Sequence, residues 1–112
     1  MSVSYFVRYQ GPAESAEAFR KYYRQNHVPI LARWPGVRRI VLHEPIAWQD
    51  LFPVKPDHFA LLAQIVFDSA EELQRALQSP ERAAARHDFS RFPPFHGTVL
   101  HQAATSEEVF SG

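Results

Sequence analysis

The sequence predicts an α+β domain, with a four-stranded antiparallel sheet carrying two helices on one face in the ferredoxin-like βαββαβ order. Three observations predict it. Four segments have the period-two alternation or the continuous apolar character of strands. Two amphipathic segments with helical spacing separate them in the order strand, helix, strand, strand, helix, strand. Finally, 112 residues with 46% hydrophobic side chains suffice for one core and not two. The domain is expected to span 1–103, followed by a polar C-terminal tail at 104–112 that ends in an apolar Val109-Phe110 pair.

The first strand reads from Val3 to Tyr9. Val3, Tyr5, Val7 and Tyr9 share one face, and Ser4, Phe6 and Arg8 the other. Gly11-Pro12 ends it. A helix follows from about Ala16 to Ala32, with Ser15 as N-cap and an inward stripe of Phe19, Tyr23, Ile30 and Leu31. Asn26 or His27 fills the gap in that stripe. Pro29 is expected to end or kink the helix near His27, because proline lacks the amide hydrogen and crowds the preceding turn. Pro35-Gly36 then turns the chain into a second strand, Val37 to His43.

The stretch from Glu44 to His58 holds three prolines with Trp48, Leu51 and Phe52, and reads as a long loop. The third strand, Phe59 to Phe67, is apolar on both faces, as a central strand would be. Asp68 or Ser69 caps the second helix, with Glu71 and Glu72 placed as in a capping box and Leu73, Ala76 and Leu77 inward. Ser79-Pro80 restarts that helix over Glu81 to His87. Phe89, Phe92 and Phe95 around Pro93-Pro94 form an aromatic lid or satellite core. The fourth strand is Thr98 to Gln102. Two helices cover only one sheet face. Since the third strand is apolar on both sides, a second copy of the chain is expected to cover the other.

Composition removes several function classes. Without cysteine there are no disulfides, thiolate nucleophiles, iron–sulfur clusters or Cys-type zinc sites. Twelve basic side chains balance twelve acidic ones, so no general grip on nucleic acid phosphates is expected. The beginning lacks a basic stretch followed by an apolar one, and no apolar run is long enough to cross a bilayer. A cytoplasmic protein that does not engage the membrane is therefore expected. No histidine pair has metal-ligand spacing, no Gly-x-Ser-x-Gly elbow is present, and no glycine-rich loop could cradle a phosphate. No metal or organic cofactor is expected.

The segment AEAFRKYYRQNHVPILARWPGVRR, residues 16–39, resembles the EthD-type family of the dimeric α+β barrel superfamily. The resemblance rests on Phe19, Tyr22-Tyr23, His27, Pro29, Pro35-Gly36 and Arg39, and continues through the third strand to Ser79-Pro80-Glu81 and Asp88. It implies a homodimer whose sheets face each other. It also implies a cleft between helices and sheet, and small organic, aromatic or lactone-like substrates handled without a cofactor. The long 44–58 loop departs from the family's compact pattern.

Within that frame His27 is the first candidate for chemistry. It lies on the inward stripe near a helix C-terminus, where the helix dipole favours the cation and burial the neutral form, so it can take and give protons near neutral pH. Capping of helix carbonyls is the competing role. Tyr23, one turn earlier, can donate to a carbonyl or oxyanion or simply pack. Tyr5, Trp34, His87, Asp88 and Phe92 are candidate substrate-binding residues, with Trp48, Phe89 and Phe95 as further possible pocket aromatics. His87 is expected on the inward line Leu73, Leu77, Pro80, Ala84, and Asp88 either faces the cleft or pairs with Arg82, Arg86 or Arg91. Three function classes stay open at this point: a cofactor-independent isomerase, cyclase or oxygenase acting on a small apolar molecule, a non-catalytic homodimer that binds a small molecule or haem, and a structural dimer with a filled cleft.

Overall fold

The computed structural model describes residues 1–112. Its elements are β1 Ser2–Gln10, α1 Ala16–Tyr22, a π-helical turn Tyr23–His27, α2 Val28–Leu31, β2 Arg39–His43, β3 Phe59–Phe67, α3 Ala70–Leu77, α4 Pro80–Asp88, a 3-10 turn Phe89–Arg91, and β4 Thr98–Ser106. The sheet order is β2-β3-β1-β4, with every neighbouring pair antiparallel. This is the ferredoxin-like arrangement.

Strand alternation sets the two faces. Val3, Tyr5, Val7 and Tyr9 of β1 stand opposite Phe67, Ile65, Ala63 and Leu61 of β3, and all are buried beneath the helices. Across β1 on its other side, Tyr5, Val7 and Tyr9 pair with Ala103, His101 and Val99 of β4. The opposite face carries Phe6, Leu62, Val66 and Leu100, together with a polar chain in which His43 Nε2 lies 3.0 Å from Gln64 Oε1 and Gln64 Nε2 donates to Ser4 Oγ at 3.1 Å. The strand β4 is an edge strand and is largely exposed.

Serine caps start the helices as their sequence positions require. Ser15, Ser69 and Ser79 accept from the amides of Ala18, Glu72 and Arg82, each at 3.2 Å. Gly36 adopts φ +82° in the Pro35-Gly36 turn, a left-handed conformation that favours glycine. Tyr9 is the hub of an aromatic cluster with Phe19, Tyr23, Phe89, Phe92 and Phe95, ring centroids lying 5.3–6.4 Å apart.

Three expectations change, and a fourth takes a definite form. The first helical run keeps its expected span, from Ala16 to Leu31, with its irregularity at His27. It opens into a π turn in which the Val28 amide bonds to the Tyr23 carbonyl, and the wider turn lets Pro29 enter the next helical segment without breaking the path. Strand β2 begins at Arg39, because Val37 still bonds back to Trp34 in a turn. Strand β4 runs to Ser106, where Ala104, Thr105 and Ser106 pair with Ser4, Val3 and Ser2, so the sheet extends past the expected boundary at residue 103. Finally, the Ser79 cap resets the helical phase. In α4 the buried positions are Ala85 and Asp88, and the line expected through Ala84 and His87 is exposed. The 44–58 loop has no helix or strand, and Ile46, Trp48, Leu51, Phe52 and Val54 project into solvent.

Candidate functional site

A cavity of about 310 Å³ lies between the helix-covered face of the sheet and α4. Tyr5, Val7 and Tyr9 of β1 form its floor, with Val99 and His101 of the neighbouring β4. The first helical run contributes Tyr23, His27 and Leu31, and Trp34 follows. The α4 side contributes Arg82, Ala85, Arg86 and, just beyond the helix, Phe89. The lining is mostly apolar with a few polar groups, the usual make-up of a small-molecule pocket.

His27 stands at the junction of the cavity and a buried polar pair. Its Nδ1 lies 2.9 Å from Asp88 Oδ2, and the two side chains are only 6% and 5% exposed. The second carboxylate oxygen, Oδ1, accepts from the Tyr22 hydroxyl at 2.9 Å. A carboxylate only accepts, so the His27 proton belongs on Nδ1, and Nε2 is left as the free lone pair. Tyr23 and Phe92 flank the imidazole, each with its ring centroid 4.8 Å away. Burial pushes the imidazole below its usual value, and Asp88 pulls in the opposite direction without overcoming it. The neutral, proton-accepting form is therefore the resting one near pH 7.

Two buried donors have no partner in the chain: the Tyr23 hydroxyl and the Trp34 indole N–H. Both residues line the cavity. Tyr9 and Tyr23 influence each other's ionisation but do not meet in hydrogen-bond geometry, and burial raises both hydroxyls well above their usual value. They remain protonated donors. Orphaned buried donors are costly, and both belong to residues of the cavity wall. Also in the lining, Arg82 donates to the Tyr5 hydroxyl at 3.2 Å, and the same hydroxyl lies 2.7 Å from His101 Nδ1.

The structure thus brings Tyr5, Tyr23, His27 and Trp34 to one cavity. Asp88 lies behind His27 rather than in the lining, and its partners are His27 and Tyr22, not Arg82, Arg86 or Arg91. Phe92 likewise packs against the far side of His27, outside the lining. His87 is exposed and lies outside the cavity lining, a consequence of the phase reset at Ser79. Of the other aromatics, Phe89 lines the cavity, Phe95 packs in the cluster around Tyr9, and Trp48 lies on the exposed loop. Tyr22, Arg82, Arg86 and His101 were missed. Arg82 and Arg86 show a signal only once α4 is read in its own phase, and His101 only once β4 is registered against β1. No three histidine, aspartate or glutamate side chains converge as metal ligands, and no helix is long and apolar enough to cross a membrane.

Comparison with known proteins places this geometry in a family. The EthD domain profile matches residues 11–93, a span that includes α1 through α4 and both members of the His27–Asp88 pair. The chain belongs to the EthD family. A relative in Rhodococcus erythropolis, an uncharacterized 11.0 kDa protein in the thcB-thcC intergenic region, is 33% identical over 94 residues, covering 84% of this chain and 86% of that protein. Among solved structures, an EthD family protein from Bacillus halodurans superposes with a TM-score of 0.74 at 23% identity, covering 96% of this chain and 100% of that one. SnoaB, a cofactor-independent oxygenase from Streptomyces nogalater, shares the fold with a TM-score of 0.63 at 17% identity, covering 99% of this chain and 98% of its own.

Proposed function

We propose that this EthD protein is a cofactor-independent enzyme that moves a proton on a small, largely apolar carbonyl compound, as an isomerase or cyclase would. The observation that carries the reading is the buried His27–Asp88 pair beside a cavity whose wall also includes Tyr23 and Trp34, each with an unpartnered donor. In this reading His27 Nε2 removes a proton from carbon next to the carbonyl. The C–H electron pair moves into the C–C bond, and the carbonyl π pair moves onto oxygen. Tyr23 and Trp34 donate to that oxygen as its charge grows. Asp88 stabilises the imidazolium that forms, held in place by Tyr22. Where the substrate carries a C=C bond beside the carbon that lost its proton, the anion is a dienolate; the imidazolium returns the proton at its far carbon as the oxygen pair re-forms the carbonyl and the double bond shifts into conjugation, an isomerisation without net redox change. Phe92 and the aromatic cluster shield the pair from water.

The volume supports a molecule of one or two rings rather than a macrocycle such as haem, since about 310 Å³ is at the low end of small-molecule pockets, about 300–1,000 Å³. The second sheet face, with Leu100 exposed and Phe6 and Leu62 only half-buried, supports the homodimer as the working form.

Deuterium incorporation tests the reading directly. A panel of small aromatic and lactone carbon acids is incubated with the protein in D₂O and followed by proton NMR. Catalysed exchange is expected for at least one compound, with His27→Gln slowing it about 10²–10⁴-fold while the fold is retained. Exchange at the parent rate in His27→Gln would overturn the assignment.

A further inference from the structure

We infer that the molecule held in this cavity is a carboxylate, with its anionic group between Arg82 and Arg86 and its reacting carbon toward His27. The inference rests on the cavity being a small-molecule site, as argued above, and adds the chemical class of the ligand.

The cavity wall holds His27, Tyr23 and Trp34 together with Arg82 and Arg86, which lie one helical turn apart on α4. The lining contains no aspartate or glutamate. The ion pairs of the chain engage Arg8, Arg20, Arg24, Arg38 and Arg75; half-buried Arg82 and exposed Arg86, like Arg33, Arg39 and Arg91, have no carboxylate partner, and these two alone of the five line the cavity. Asp88, on the same helix, is turned away toward His27 and Tyr22. Arg82 is directed by its bond to the Tyr5 hydroxyl, which in turn meets His101 Nδ1. Two guanidinium groups thus stand unopposed beside a mostly apolar wall.

Their effect is felt locally. His101 is held below its usual value by burial and then by Arg86 and Arg82, so a third positive charge does not form there. Like charges gathered without a counter-ion cost free energy, and a ligand carboxylate would remove that cost. Guanidinium forks match a carboxylate's two oxygens in geometry as well as in charge. A neutral apolar ligand would need none of this.

Calorimetry with benzoate and its neutral counterpart benzamide tests the inference. At low salt the protein is expected to bind benzoate about tenfold more tightly than benzamide, with the preference shrinking as salt rises. The double variant Arg82→Gln/Arg86→Gln should lose the preference and keep its affinity for benzamide. Arg82→Lys/Arg86→Lys should retain part of the preference, which separates charge from any change of shape. Equal affinity for the two compounds in the parent protein overturns the carboxylate assignment and leaves the cavity reading intact. A preference unchanged in the Gln double variant overturns it as well. Failure of both compounds to bind at about 10 mM overturns the site reading and this inference together.

Discussion

The Oδ2 atom of Asp88 stands 2.9 Å from Nδ1 of His27, although the two residues come from different helical segments packed side by side over the sheet. One helix supplies the base and the other decides which of its nitrogens is basic. The relationship makes the ring's tautomer, and not merely its position, a product of tertiary packing.

Asp88→Asn tests that dependence. An asparagine amide can donate to Nδ1 and so reverse the tautomer, which puts the proton on Nε2. Nitrogen NMR of the His27 ring is expected to report protonated Nδ1 in the parent and protonated Nε2 in the variant. Deuterium exchange on a reactive compound should fall about 10²-fold or more. An unchanged tautomer together with unchanged exchange would show that Asp88 has no part in orienting the base.

Stability should respond to pH through the same histidine. His27 and His101 both lie below the ordinary value of 6.5 in the folded protein. Between their lowered values and 6.5 the unfolded chain binds more protons than the folded one, so stability rises with pH across that window. Acidification into the window should lower the unfolding free energy from urea titrations, by at most about 1.4 kcal/mol per pH unit for each histidine. His27→Gln should flatten part of that slope. Identical midpoint changes between about pH 7.5 and pH 5.5 in parent and variant would assign the slope to other groups.

Tyr23→Phe should separate stability from function. The Tyr23 hydroxyl is fully buried without a partner, so deleting it removes an unsatisfied group and leaves the ring packing in place. Thermal or urea unfolding should show the variant as stable as the parent or more so, by about 1 kcal/mol. Turnover should nevertheless fall about 10²-fold, as for the loss of an oxyanion donor. A marked loss of stability would mean that the hydroxyl has a structural partner.

Much of this arrangement is legible in the chain before any coordinates. The alternation of Val3, Tyr5, Val7 and Tyr9 and the serine caps at Ser15, Ser69 and Ser79 define the elements that build the fold. The inward placement of Tyr23 and His27 also follows from local spacing. What local spacing misses depends on phase and register. Carrying the line of Leu73 and Leu77 across the Ser79-Pro80 restart puts His87 inward, whereas the Ser79 cap rotates Asp88 and Arg82 into that role. His101 enters the cavity only through its pairing with Val7 across the sheet. Burial of the Tyr23 hydroxyl without a partner is a property of the whole core, which no window of sequence reports.

The π turn at Tyr23–His27 also has a genetic consequence. Such a turn spends one more residue per loop of helix than an α turn does. A relative lacking one codon in this stretch could still lay the same helix over the same sheet. Because an α turn takes one residue fewer, the residues beyond the deletion would keep the faces they have here. The histidine would then follow Tyr23 by three residues instead of four and still share its face. A single deletion can therefore be absorbed at this turn with the pair kept together, without any exchange of one side chain for another.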